Sequence, residues 1–192
     1  MSFKSTTKIL KENQHIFYTQ IVDKSFFFLF GVVLARSLDL ESYGNIILVF
    51  TFANLMVTLF SFGLPIYLQR ETAFSENNIK KLFTITFSIN LLLTLPAVIF
   101  SIVFFVLIYP TLNVYMIALL SILVALSSNE TLLMSLLKGL KRYKNIFIIT
   151  LIIRTLVITF ILLLWMNGFN SSAIIFTFLT GNLFILLLIF FV

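Results

Sequence analysis

Four ionisable side chains lie inside long apolar runs of this sequence: Asp23 and Lys24 side by side, Glu130, and Arg154. A charge at that depth in a bilayer is costly unless it is paired or faces a polar cavity. Two chemistries fit such residues. They form structural ion pairs that fix helix register, or they line a hydrophilic cavity where a cation holds an anionic head group and a carboxylate takes up a proton or ion. Covalent chemistry is not expected. The absence of cysteine removes disulfides, thiolate metal sites and cysteine nucleophiles. The single histidine, His15, stands at the polar end of an apolar run, where an interfacial role is ordinary. Short loops holding Arg36, Asp39 and Glu41 offer no nucleophile and base. The chain therefore reads as a non-enzyme with no catalytic residue, no cofactor and no metal.

The elements that must position these charges follow from composition. Hydrophobic residues make up 60% of the 192 and charged residues 10%, with a mean hydropathy of +1.13. A soluble domain has roughly 45–50% and 25%. The net charge of +6 sits in short clusters between apolar runs, a positive-inside pattern rather than a nucleic-acid patch. About 20 apolar residues cross a hydrocarbon core of roughly 30 Å. Six runs qualify, at 15–36, 45–68, 82–108, 114–137, 145–166 and 171–192. The predicted fold class is all-α, a single polytopic transmembrane bundle of about six spanning helices over 1–192. The first run also has the shape of a signal peptide, with Ser25 to Val32 as its apolar region and Val33-Leu34-Ala35 as the cleavage-type site. Its extension back through Ile16-Phe17-Tyr18 favours a retained helix.

Polar residues within the spans fall on faces. Thr51, Asn54, Thr58 and Ser61 share one side of the second span, and Thr86, Asn90, Thr94 and Ser101 one side of the third. Such faces pack helices together or line a water-filled lumen. Gly63 and Pro65 are expected to loosen or kink the second span, and Tyr109-Pro110 to end the third. Gln69 to Lys81 reads as the longest polar connection. In the fourth span, Ser127-Ser128-Asn129-Glu130-Thr131 needs partners or water. The sixth run stops at Val192 without a polar flank, which suggests a fragment or one half of a longer protein.

Basic residues set the orientation. With a cytoplasmic N-terminus, Lys4, Lys8, Lys11, Arg70, Lys80, Lys81, Lys138, Lys141, Arg142 and Lys144 are inside and only Arg36 is outside, ten against one. Glu130 then lies eight residues from Lys138, about 12 Å, and Arg154 nine from Asn145, about 14 Å. Matched depth on antiparallel neighbours predicts that Glu130 and Arg154 meet, with Asp23 and Lys24 entering at the same level from the first span.

The strings Ala35-Arg36-Ser37-Leu38, Tyr43-Gly44, Gly63-Leu64 and Gln69-Arg70-Glu71, with the turn Lys138-Gly139-Leu140-Lys141-Arg142-Tyr143, resemble bacterial polysaccharide flippases, the O-antigen and capsule exporters of the multidrug/oligosaccharidyl-lipid/polysaccharide superfamily. The chain has Leu38-Asp39 where that family commonly has Leu-Gly. Family members carry about twelve to fourteen helices in two lobes, so six match an N-terminal lobe. The resemblance implies a transporter of the inner membrane that flips undecaprenyl-pyrophosphate-linked oligosaccharide to the outer leaflet by alternating access. Its partners would be that lipid-linked oligosaccharide, membrane lipid, and a second lobe or second copy, without nucleic acid. It implies cationic lumen residues that meet the pyrophosphate. Depth and charge single out Lys24 and Arg154 for that role. The residues expected at the lumen are Lys24, Arg154, Asp23, Glu130, Asn54 and Asn90. Two other readings stand beside it: an organic-cation antiporter, which would favour acids in an aromatic pocket, and a non-transporting scaffold.

Overall fold

The computed structural model describes residues 3–74, 78–109, 114–166 and 171–191, and among them the chain is helical without strands. Seven helices follow in order: α1 (Phe3–Ser37), α2 (Leu40–Phe60), α3 (Leu64–Phe74), α4 (Ile79–Ile108), α5 (Val114–Gly139), α6 (Tyr143–Met166) and α7 (Ser171–Phe191). Among the described residues five are long and apolar enough to cross a membrane: α1 from Gln14, α2, α4, α5, and α6 to Leu164. Helix α7 has 21 residues, with Phe176–Leu188 as its described apolar stretch. The protein is thus an all-α polytopic membrane bundle. The turns expected at 110–113 and 167–170 lie outside the described residues.

Two departures from the expected spans have local causes. Helix α1 begins at Phe3 rather than near residue 15, because no proline or glycine interrupts the polar stretch before His15. The second expected span is two helices. Phe62 and Gly63 take positive φ angles of 44° and 73°, ending α2, and α3 starts at Leu64. A glycine tolerates that left-handed backbone because it lacks a Cβ. Pro65 falls in the first turn of α3, where a missing N–H leaves no intrahelical bond unmade. Gln69, Arg70 and Glu71 are therefore helical rather than in an open connection.

The chain divides into two compact units, α1 with α6 and α7, and α2 to α5. In the first, His15 lies against Phe147 and Asp23 against Arg154, so α1 and α6 run in the same direction. The basic-residue count requires that of the first and fifth spans. Phe178 of α7 stacks on Phe26 and Phe30 of α1, with ring centroids 6.1 and 5.0 Å apart. In the second unit, Gly139 at the end of α5 is buried on α3. A Cβ there would come within 2.7 Å of the Gln69 carbonyl oxygen and 2.8 Å of Thr72 Cβ.

Asp39 lies in the two-residue connection between α1 and α2. It is the N-cap of α2, with its carboxylate accepting from the Ser42 amide at 3.1 Å. The Ser42 side chain and then the Ser42 amide hold its carboxyl below the ordinary carboxylate range. A depressed acid stabilises the folded state above its unfolded pKa and loses that contribution as pH falls through the folded value. Acidification below about pH 4 should therefore fray the first turn of α2, and Asp39→Asn should remove most of that pH dependence. Amide exchange at Ser42, measured against pH in both proteins, checks this; identical profiles would contradict it.

Candidate functional site

Helices α1, α6 and α7 each contribute one polar side chain to a junction within apolar surroundings. Arg154 of α6 is buried at 7% exposure. Its Nε donates to Asp23 Oδ1 of α1 at 2.9 Å, and its Nη1 donates to Asn182 Oδ1 of α7 at 3.0 Å. The guanidinium carbon lies 4.9 Å from the centre of the Phe26 ring and 5.5 Å from that of Phe27. A planar guanidinium donates in its own plane while its faces rest on aromatic rings, so one side chain can join three helices. The structure pairs Arg154 with Asp23, the acid expected to enter at the same level from the first span.

Asn182 is not among the residues expected at the lumen. The polar triplet Thr180-Gly181-Asn182 inside an otherwise apolar run is the signal that could have found it. Gly181 explains how Asn182 reaches Arg154: a Cβ at that position would collide with Val157 Cγ2 of α6, so only glycine lets the two backbones approach.

Asp23 and Arg154 cancel, and Lys24 does not share in the pair. It is exposed and makes no ion pair among the described residues. It lies ten residues into the span that starts at Gln14, about 15 Å along the helix and near mid-membrane.

The two polar stripes of the second unit part company. Asn90 is buried at 2% exposure; its Nδ2 donates to Asn129 Oδ1 at 3.2 Å, and Ser128 Oγ donates to Asn90 Oδ1 at 3.1 Å. Thr94 Oγ1 lies 3.0 Å from Ser128 Oγ and donates to the Asn90 carbonyl at 2.7 Å. Asn90, expected at the lumen, is thus in an α4–α5 helix contact. The same contact satisfies Ser128 and Asn129 from the run of five polar residues, and Glu130 beside them is half-buried. On α2 the opposite holds. Thr51, Asn54 and Thr58 are exposed, with Asn54 Nδ2 bonded to the Phe50 carbonyl at 3.0 Å and Thr58 Oγ1 to that of Asn54 at 2.8 Å.

A family model described as "polysaccharide biosynthesis protein" matches residues 33–192. The chain belongs to that family. Neither a curated protein nor a solved structure matches it. The family relation and the apolar helices together make it a multi-pass membrane protein connected with polysaccharide synthesis.

Proposed function

We propose that this polysaccharide biosynthesis protein is a flippase of the multidrug/oligosaccharidyl-lipid/polysaccharide superfamily. It carries undecaprenyl-pyrophosphate-linked oligosaccharide from the cytoplasmic to the outer leaflet of the bacterial inner membrane, for O-antigen or capsule. In this reading the N-terminus is cytoplasmic, the 192 residues are an N-terminal lobe, and a second lobe or second copy completes the carrier. It performs no covalent chemistry. The observation that carries the reading is Lys24, an exposed cation near mid-membrane without a countercharge among the described residues. A charge held there is costly unless something anionic or aqueous meets it, and a pyrophosphate in transit does so. The exposed polar stripe of α2 supports a hydrophilic path, since a spanning helix does not turn amides and hydroxyls to lipid without cost. An organic-cation antiporter would need an acid without a fixed partner, and the bond from Arg154 to Asp23 weighs against it.

The test is surface polysaccharide in cells that depend on this protein. Lys24→Ala should reduce its display at least tenfold while the protein stays in the membrane at its normal level. Lys24→Arg should retain part of it, because charge is kept while geometry changes. Undiminished display by Lys24→Ala would overturn the proposal.

A further inference from the structure

An open groove of about 230 Å³ runs between α1 and α6 in the first unit. Its walls are mostly apolar, with Ile21 and Leu29 from α1 and Leu151 and Ile158 from α6, and Arg154 also reaches it. Two hydroxyls interrupt the apolar lining, Ser25 and Thr155. Both are exposed and make no hydrogen bond among the described residues. Their neighbours behave differently: Thr19 bonds to the His15 carbonyl at 2.8 Å and Thr159 to that of Thr155 at 2.8 Å, the usual way a hydroxyl in a span satisfies itself. Ser25 lies eleven residues into the span from Gln14 and Thr155 twelve into that from Tyr143, about 16 and 18 Å along their helices. Two unsatisfied donors thus stand near mid-membrane, where a hydroxyl without a partner costs free energy.

Size decides what part of a ligand fits. A complete small-molecule site holds roughly 300–1,000 Å³, so this groove takes a segment of a ligand, and its lining selects hydrocarbon. The hydroxyls call for an acceptor at the end of that segment. Because Asp23 neutralises Arg154, the net positive charge nearby in sequence is Lys24, adjoining Ser25. Hydrocarbon ending in an anionic acceptor is the chemistry of a lipid phosphate.

We propose that the α1–α6 groove seats the first isoprenoid units of a polyprenyl phosphate, with the Ser25 and Thr155 hydroxyls donating to its phosphate oxygens. The inference rests on the flippase reading and adds a place for the lipid part of the substrate. No bond is made or broken; the groove holds the first isoprenoid units together with the phosphate.

The experiment uses the full chain in phosphatidylcholine nanodiscs and a polyprenyl phosphate bearing a diazirine on its first isoprene unit. Photolabelling should concentrate on Leu29, Leu151 and Ile158, and excess unlabelled polyprenyl phosphate should displace it. Ser25→Ala combined with Thr155→Val should weaken that displacement by about tenfold or more, since hydrogen bonds to a charged group are among the stronger ones, and leave competition by neutral polyprenol unchanged. Leu29→Trp, which fills the groove, should abolish the labelling, and the exposure of Leu29 makes it a mild change for folding. Saturable labelling at other residues would overturn the groove and leave the flippase reading standing. No saturable labelling anywhere would overturn both. Cross-links between two copies through Leu29 would show that protein covers the groove and overturn the lipid assignment.

Discussion

Replacing Asp23 by asparagine should lower the stability of the folded protein by about 3–5 kcal/mol, because the buried Arg154 guanidinium then loses its ion pair with Asp23. Arg154→Gln should also destabilise it by removing the bonds to Asp23 and Asn182 and the contacts with Phe26 and Phe27. The two losses arise differently. Arg154, with 8% of its side chain exposed, has little access to water, whereas Asp23, at 34%, can hydrate. The double variant should recover part of the stability lost by Asp23→Asn alone. Folded yield and thermal unfolding in detergent measure all three. Strictly additive losses would show that the pair contributes no coupling, and the register of α1 on α6 would need another explanation.

A methyl group at Gly181 should have an effect of comparable kind from a packing cause. Gly181→Ala places a Cβ where Val157 Cγ2 stands. The clash must push α7 from α6 or rotate it, and either movement stretches the 3.0 Å bond from Arg154 to Asn182. Overpacking of this sort costs about 1–3 kcal/mol, and loss of the Asn182 acceptor beside a charged donor adds to it. Val157→Ala removes the colliding methyl groups, so Gly181→Ala with Val157→Ala should be more stable than Gly181→Ala alone. Thermal unfolding of the three variants checks this. A double variant less stable than the single would mean that α7 does not rely on that contact.

Some of this arrangement is legible from residue types. Long apolar runs identify the spans because hydrocarbon length leaves little choice, and a positive φ at Gly63 followed by Pro65 accounts for an interruption that the two residues announce. The partner of Arg154 is not legible in the same way. Depth along a helix places Asp23, Glu130 and Arg154 at similar levels, but depth carries no information on which helices are neighbours. Helix α1 packs on α6 although 131 positions separate Asp23 from Arg154, and Asn182 enters through the close approach that Gly181 permits. Polar stripes suffer a similar ambiguity. Asn54 and Asn90 have the same residue type and helical spacing, yet one is exposed and the other sealed between helices. What separates them is the complementary Ser128 and Asn129 on α5, a feature of a different helix.

The parallel pairing of α1 with α6 also has a consequence for how the protein is made. Asp23 and Arg154 are separated by 131 positions in sequence. At about 5–20 residues per second, a ribosome needs roughly 7–26 s to travel that distance. During that interval the first helix has been synthesised with both Asp23 and Lys24, while the guanidinium that will neutralise the acid does not yet exist. It must wait at a hydrated place, such as the lateral opening of the insertion channel or beside a membrane chaperone, rather than drift into lipid. Until α6 is delivered, water stands in for the partner that Asp23 will find in Arg154.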